Sequence, residues 1–370
     1  MEGNWGAEGC VLDQSFCLSL RRDGCSPTPS KVIKTSSLDV GTTKEILGEK
    51  MSANFRGIFT IPSTPFQKTG EIDILSFRRI IDFCVDCGAH GLVFPVNASE
   101  WVLLSDEERF RLSEVLVEQN AGRIPVVIGV AAASREIAAR FASHAHSIGA
   151  DAVIAMPPHI RRRPVSEDVI FEYYKAIADA ARLPVFIQDW YGPLGTEMSA
   201  QFMLRLCRGI EYVQYIKEET EPSTIKLTEV VEGNDGSVKG FFGGSGGRFL
   251  IEEFRRGVDG NMPGCHVTDV MVALWKALEN GDEAQAFHIY KELSPLFFFE
   301  AQVEGCYKEV LFRRGIIDCP LKRNGATHVD EITSKYLDDL LQALEPLMSY
   351  GKARKPQATE TSQHNGVLRK

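Results

Sequence analysis

A lysine stands near the end of the short segment VQYIKEET, residues 213–220, where it could act as a nucleophile. The segment is typical of a half-buried β-strand, and it delivers Lys217 to the C-terminal end of that strand. Lysine is rare inside folds, so a lysine placed here either pairs with a carboxylate or reacts with a carbonyl group. Two interpretations of this segment stay open: an edge lysine paired with Glu219, and a Schiff-base nucleophile.

The lysine segment belongs to a series of eight apolar runs, each followed by residues with helical spacing. The first helical segment, for example, carries Phe77, Ile80, Ile81 and Cys84 at that spacing. Apolar strands that alternate with helices indicate a covered parallel sheet, and eight such units close into a (β/α)8 TIM barrel. Lys217 would then end the sixth strand, at the face where such barrels hold their active sites. The eight runs begin at Gly57, Gly91, Ile124, Asp151, Leu183, Val213, Val238 and Gly260.

The length of 370 residues, 44% of them hydrophobic, suits one barrel with additional C-terminal helices. We expect the barrel at residues 51–280 and a helical extension at residues 281–350. Residues 1–50 lack strand or helix periodicity and fit neither a secretory signal nor a transit peptide, so they are predicted to be a disordered leader, with Met51 as a candidate start. The basic, polar tail at residues 351–370 is also predicted to be disordered.

Composition narrows the classes of partner. The formal net charge of −9 argues against nucleic acid, and no apolar run approaches the ~20 residues that span a membrane. Nine scattered cysteines, an odd number, indicate reduced thiols in a cytoplasmic protein, and the lone Cys84-x-x-Cys87 favours helix packing over a zinc or redox site. The sequence has no H-E-x-x-H motif or clustered ligand set, so we expect no metal.

The loop after the second predicted strand carries small polar side chains. Asn97, Ala98 and Ser99 could hold a substrate carboxylate through side chains and backbone amides, or they could form the turn that caps the next helix. After the fourth strand, Arg161–Arg163 could steer an anionic substrate, contact a neighbouring subunit, or be a solvated run.

Two more strand ends would face the same side of the barrel. The fifth strand ends in Gln188 and Asp189. The seventh leads into Gly243, Gly244 and Ser245, where a substrate could approach the backbone closely, or which could be a flexible loop only. These residues complete the predicted surroundings of the lysine.

Four motifs carry a resemblance to a known family: GIFTIPSTPF, GLVFPVNASE with the following LSDEER, AGRIPVVIGV and YIKEET. From about residue 55 to residue 347 the chain resembles the dihydrodipicolinate synthase and N-acetylneuraminate lyase family of class I lyases. The resemblance implies that Lys217 condenses with the keto group of a small 2-oxo acid. It also implies a covalent Schiff base in place of any cofactor, and a homodimer or homotetramer of barrels.

Two positions depart from the family pattern. The carboxylate-binding Gly-Thr-Thr-Gly-Glu loop is replaced by residues 96–100, Val-Asn-Ala-Ser-Glu, and the proton-relaying tyrosine of strand five is replaced by Gln188. An amide cannot exchange a proton near neutral pH, which argues against lysine biosynthesis and sialic acid cleavage. A register that gives Tyr191 the relay role needs a shift of three residues, which would reverse the in/out pattern of the strand.

The combination Asn-x-Ser-Glu, Met-Pro-Pro, Gln-Asp and Lys-x-Glu-Thr is similar to the subgroup that contains 2-keto-3-deoxy-L-arabonate dehydratase. In that chemistry a Schiff base between Lys217 and C2 acidifies the C3 protons, and the C4 hydroxyl is lost through an enamine. The acid or base is then a water, a substrate group or Glu219, which could equally be a partner of Lys217 or Arg248. We expect a hydro-lyase acting on a 2-keto-3-deoxy sugar acid; the alternatives are a pyruvate-releasing aldolase and a non-catalytic ligand-binding barrel.

Overall fold

The computed structural model describes four stretches of the chain: residues 55–158, 165–190, 197–325 and 329–350. The predictions made for residues 1–50, Arg161–Arg163, Tyr191 and residues 351–370 lie outside the described residues.

Eight short parallel strands form a closed barrel in sequence order. The strands are β1 (Gly57–Thr60), β2 (Gly91–Phe94), β3 (Val126–Gly129), β4 (Ala152–Ala155), β5 (Val185–Asp189), β6 (Val213–Glu218), β7 (Gly240–Gly243) and β8 (Gly260–Asn261). The barrel closes where β1 pairs with β8, in a register that sets Gly57 opposite Gly260. Each predicted apolar run supplies one strand, including the two-residue β8, which confirms the (β/α)8 prediction.

Helices alternate with the strands, and three more follow the barrel. They are α1 (Ile74–Asp86), α2 (Asp106–Asn120), α3 (Arg135–Ser147), α4 (Glu167–Ala181), α5 (Ala200–Gly209), α6 (Ser223–Glu232), α7 (Leu250–Arg255), α8 (Thr268–Glu279), α9 (Glu283–Gln302), α10 (Cys306–Arg313) and α11 (Glu331–Leu344). In the described part of the chain, no helix has the length and apolar character that crossing a bilayer requires.

Local sequence explains where several of these helices begin. The side chain of Ser105 accepts a hydrogen bond from the Glu108 amide, and the Glu108 carboxylate accepts one from the Ser105 amide, a reciprocal cap that starts α2. Asp73 and Ser199 accept comparable bonds at the starts of α1 and α5. These caps fix the helices around the barrel and so fix the strand ends.

The barrel interior is filled with aromatic rings below the ends of the strands. Phe186 of β5 and Tyr215 of β6 stack at a centroid distance of 4.4 Å, and Phe55 meets Phe186 edge-on at 5.4 Å. Side chains alternate between the two faces of a strand, so the residues two positions further along β5 and β6 also point inward. These residues are Gln188 and Lys217, which are direct partners in the β5–β6 register.

Candidate active site

Lys217 lies inside the barrel mouth rather than at an exposed strand edge. Its side chain is 2% exposed, and its Nζ is 2.9 Å from Oε2 of Glu219. The structure thus combines features of both sequence interpretations, because Lys217 pairs with a carboxylate and does so in an enclosed position. An enclosed amine beside a proton acceptor has the arrangement that nucleophilic catalysis requires.

Glu219 connects three neighbouring elements. Gln188 of β5 donates from Nε2 to the same oxygen that Lys217 contacts, Oε2 of Glu219, at 2.6 Å. The backbone amide of Ser245, in the loop after β7, donates to Oε1 of Glu219 at 2.9 Å. The carboxylate is therefore oriented by one ammonium and two N–H groups, and it lies between β5, β6 and the β7 loop.

The glycines of the β7 loop make this approach possible. A Cβ atom on Gly244 would lie 2.1 Å from Oε1 of Glu219, and one on Gly243 would lie 2.0 Å from a carboxylate oxygen of Glu253. Both distances are far inside van der Waals contact, so a larger residue could not occupy either position without displacing a carboxylate. The sequence predicted a close approach of substrate to this loop; in the structure two glutamates of the protein make such an approach.

Glu253 of α7 is a second buried carboxyl beside the loop, and the sequence patterns did not identify it. The residue is 1% exposed, and its Oε2 accepts a hydrogen bond from Nδ2 of Asn261 at 2.8 Å. Burial raises the pKa of Glu253 to about 8, and the nearby negative charge of Glu219 also raises it. At neutral pH the protonated acid of Glu253 predominates, which limits charge repulsion with Glu219.

Asp189 points away from Lys217, toward the helical layer. Its Oδ2 accepts from Nζ of Lys226 at 2.6 Å and from the Thr220 hydroxyl at 3.0 Å, and its Oδ1 accepts from the Met198 amide at 3.0 Å. Glu218 lies on the same outer face, where burial raises its pKa to about 9 and Asp189 adds to that rise. The structure therefore brings Gln188 to the lysine but does not bring Asp189 there.

Some residues of the loop after β2 border a cavity, and one is buried in the core. The Ser99 hydroxyl donates to the Pro62 carbonyl at 2.8 Å, and the residue is fully buried. Oδ1 of Asn97 accepts from the Trp101 indole at 3.0 Å. Asn97 and Ala98 border a polar cavity of about 210 Å³. Two of the three predicted residues thus border open space, and the third supports the β1 loop.

A model of the dihydrodipicolinate synthetase family matches residues 54–344, more than half of the chain. This chain belongs to that family. It is therefore a lyase of the dihydrodipicolinate synthetase family, as the sequence motifs predicted.

Characterised relatives of this family member differ in activity. The chain is 32% identical to the L-2-keto-3-deoxyarabonate dehydratase of Azospirillum brasilense, over 79% of this chain and 96% of that protein. It is 31% identical to a 4-hydroxy-tetrahydrodipicolinate synthase of Rhodopseudomonas palustris strain BisA53, over 65% of this chain and 80% of that protein. The similarity leaves the substrate to be argued from the site.

Solved structures of the family share the barrel. A dihydrodipicolinate synthase from Rhodopseudomonas palustris superposes with a TM-score of 0.72 at 26% identity, covering 79% of this chain and 99% of that one. YagE, a prophage protein of E. coli K12 solved in complex with pyruvate, gives 0.72 at 25% identity with the same coverage.

The turn after β8 and the C-terminal helices of this family member bring together polar groups that no sequence motif indicated. Nε2 of His266 is 2.6 Å from Oε1 of Glu300, and both side chains are almost fully buried. The Tyr307 ring stacks on His266 at a centroid distance of 4.3 Å. The one available signal was Glu300 itself, a charged residue that ends the apolar run 296–299 inside a helix.

The Cys84-x-x-Cys87 thiols are buried packing groups in the structure. Cys84 lies on the buried face of α1, and burial raises the pKa of the Cys87 thiol to about 12, so both are neutral packing groups at physiological pH. Among the residues that the structure describes, no three histidine, cysteine, aspartate or glutamate side chains converge as a metal site would require.

Proposed function

We propose that the chain is a Schiff-base dehydratase of a 2-keto-3-deoxy sugar acid that works without a metal or cofactor. The observation that carries the proposal is the enclosed pair of Lys217 and Glu219, 2.9 Å apart, with Gln188 on the same carboxylate oxygen. The pair supplies a nucleophile and a proton acceptor in contact, which are the two groups that imine chemistry needs.

The first step joins Lys217 to the substrate. A neutral amine is required for attack, and Glu219 can take the ammonium proton through the contact already formed. A bond forms between Nζ and C2 of the 2-oxo acid, and the keto oxygen leaves as water with one proton from the amine and the one that Glu219 had taken. A protonated imine and an ionised Glu219 remain. Because Lys217 is 2% exposed, little bulk water surrounds the resulting imine.

The second step removes the C4 hydroxyl. The imine draws electrons from C3, and Glu219 accepts the C3 proton to give an enamine. The C4–O bond then breaks as Glu219 returns that proton to the departing hydroxyl, which leaves as water, and a C3=C4 double bond remains. Hydrolysis of the imine releases Lys217. One carboxylate therefore acts as base and then as acid, while Gln188 holds its orientation.

One observation favours dehydration over retro-aldol cleavage: the Azospirillum brasilense relative bears the name of a dehydratase of this substrate class. Gln188 does not decide between the two reactions. Because an amide cannot exchange protons near neutral pH, proton transfer is assigned to Glu219, which contacts the nucleophile. The runner-up is a pyruvate-releasing aldolase of the same family, which would use the same imine.

The proposal is tested by trapping the imine. Incubation with pyruvate and borohydride should add the mass of the reduced ligand to one peptide, the one that contains Lys217. Lys308 provides a demanding internal comparison, because it is also 2% exposed and burial lowers its pKa to about 8. Lys217→Ala should abolish both labelling and turnover, while Lys308→Arg should leave the adduct on Lys217.

Two results would contradict the mechanism: labelling of Lys308 in place of Lys217, or unchanged turnover in Lys217→Ala. An assay of 2-keto-3-deoxy acids of different length and stereochemistry, with separate detection of pyruvate, then decides between the two reactions. Release of pyruvate would establish the aldolase; an oxo acid product that keeps all the substrate carbons would establish the dehydratase.

A further inference from the structure

The polar cavity at the barrel mouth is a second feature that the covalent chemistry does not use. It is enclosed by the β1 and β2 loops on one side and by the C-terminal helices on the other, with a volume of about 210 Å³. At roughly 30 Å³ per water molecule in the liquid, the space has the volume of about seven waters, enough for a short polar group of a ligand. Its lining includes Ser63, Asn97, Glu100, Glu300, Tyr307 and Lys308.

The loop after β7 connects the catalytic carboxylate to two residues that line the cavity. The loop after β7 donates the Ser245 amide to Glu219 at 2.9 Å. The next residue, Gly246, faces the C-terminal helices: a Cβ atom there would lie 3.3 Å from both the Tyr307 hydroxyl and Oε2 of Glu300. Gly246 also has a φ of 70°, a backbone conformation that glycine adopts without strain. One turn of chain thus separates Glu219 from the phenol.

Two carboxylate oxygens at this cavity lack a hydrogen-bond partner among the residues that the structure describes. One is Oε2 of Glu300, which is buried, although the other oxygen of that carboxylate contacts His266. The second is the buried Oε2 of Glu100, while Oε1 of the same residue pairs with Lys308. An unpaired buried acceptor costs free energy, so a ligand that donates hydrogen bonds would be stabilised here.

We infer that this cavity is the subsite for the hydroxyl-bearing end of the substrate, and that Tyr307 and Glu300 determine its specificity. The inference rests on the proposed function, because it concerns the part of the sugar acid that extends beyond the imine at Lys217. Hydroxyl groups donate and accept, so they match the free carboxylate oxygens and the phenol together. A second carboxylate fits less well, because three glutamates line the cavity against two lysines, and each lysine already pairs with one of the glutamates.

The position of Tyr307 agrees with this assignment. Its ring is held flat against His266, and a Cβ atom on Gly264 would clash with it at 2.6 Å, so glycine at that position makes room for the ring. Burial raises the pKa of the Tyr307 phenol well above its usual value, Glu300 adds to that rise, and Glu219 contributes as well. A phenol that stays protonated can donate to a substrate hydroxyl throughout the working pH range.

The test compares ligands that share the reacting end and differ at the other. Pyruvate and 2-oxopentanoate lack the hydroxyls, whereas a 2-keto-3-deoxypentonate has the carbon length of 2-oxopentanoate and carries them. Tyr307→Phe and Glu300→Gln should leave pyruvate trapping at Lys217 and inhibition by 2-oxopentanoate within about twofold of wild type. The same variants should lower kcat/KM for the pentonate roughly tenfold, the loss expected for one hydrogen bond of ~1.5 kcal/mol.

Tyr336→Phe is the matched control, since Tyr336 lies on α11, is 49% exposed, and does not line the cavity. It should change none of these values. Equal losses for ligands with and without hydroxyls would overturn the subsite, as would no loss in either cavity variant. If the wild-type protein forms no adduct at Lys217 with any 2-oxo acid, the proposed function fails and the subsite fails with it. A normal adduct without hydroxyl discrimination removes the subsite alone.

Discussion

At the scale of single residues, the site depends on one carboxylate with two neighbours. Lys217 and Gln188 both contact Oε2 of Glu219. A substitution that displaces the Gln188 side chain is therefore expected to displace the carboxylate that Lys217 contacts. In the family pattern this strand position holds a tyrosine that relays protons. Here an amide donates a hydrogen bond to Glu219, and the proposed mechanism assigns proton transfer to that carboxylate.

The role of Gln188 can be measured by its removal. Gln188→Ala should lower kcat roughly tenfold to a thousandfold, the span for losing one well-placed hydrogen bond of ~1.5 to 4 kcal/mol, because Glu219 would lose one of its orienting donors. The pH–rate profile should keep both wild-type limbs. Gln119→Ala is the matched control: this residue bonds Arg78 and Asp82 on the helical surface.

A second substitution at Gln188 tests the ionisation of Glu219 rather than its orientation. Gln188→Glu would place a second carboxylate 2.6 Å from Glu219, and like charges that close raise a carboxyl pKa. The acidic limb of the profile should therefore move to higher pH in this variant. Loss of an ionisation in Gln188→Ala would instead show that the strand-five residue carries a proton, or that Tyr191 has taken the relay role.

At the scale of elements, α7 supports the β7 loop through a buried acid. Folding favours the protonated form of Glu253, because its pKa of about 8 in the folded protein lies above the ~4.3 of an unfolded chain. The stability that this protonation contributes is complete below pH ~4.3 and is lost as the pH rises through about 8. The loss is about 1.4 kcal/mol per pH unit within that window.

Glu253→Gln should remove this pH dependence, since the amide stays neutral. Between pH 5 and pH 8.5, the Tm of Glu253→Gln should therefore rise by several degrees relative to the Tm of the wild type. Glu252→Gln is the matched control, because Glu252 is the preceding residue on the same helix and its side chain is 60% exposed. A constant difference for Glu253→Gln across that range would show that Glu253 ionises normally.

The elements themselves were predictable from the sequence because their signal is local. Each apolar run and its helical spacing reports one strand or helix, and eight repeats leave few topologies. The alternation of side chains along a strand also predicts which of two neighbouring residues faces the barrel interior. If Gln188 points into the barrel, Asp189 must point outward, where it pairs with Lys226. Strand alternation does not predict the direction of Glu219, because this residue follows the last residue of β6.

At the scale of the whole molecule, the sequence could not show what the C-terminal helices bring to the site. Tyr307 lies 90 positions beyond Lys217 by residue number, and no spacing rule connects them. Their proximity follows from how α9 and α10 pack against the barrel mouth, which depends on many weak apolar contacts rather than on a motif. The same limit explains why Glu300 and Lys308 were not predicted. His266 lies in the turn after β8, and its local sequence does not indicate its partner Glu300.

The first strand of the barrel is held by described residues from Phe55 onward. β1 is paired on both sides, with β2 and with β8, and the Gly57 amide donates to the Asp259 carbonyl at 2.7 Å. Phe55 is 5% exposed and fills the barrel beneath the site, with edge contacts to Phe186 at 5.4 Å and Tyr215 at 5.1 Å. Phe55 is thus the first of the described residues that fills the barrel floor.

A chain that begins at Met51 should therefore keep its fold and its catalysis, with Tm within about 2 °C of the full chain and turnover within about twofold. A chain that begins at Gly57 is the matched comparison, because it removes the same leader together with Phe55. That second chain should lose several degrees of Tm, since emptying a buried phenylalanine site costs ~3 to 5 kcal/mol. Phe55→Ala in the full chain should reproduce most of the loss. A comparable loss in the chain that begins at Met51 would show that residues before the barrel contribute to its stability or to its assembly with other copies.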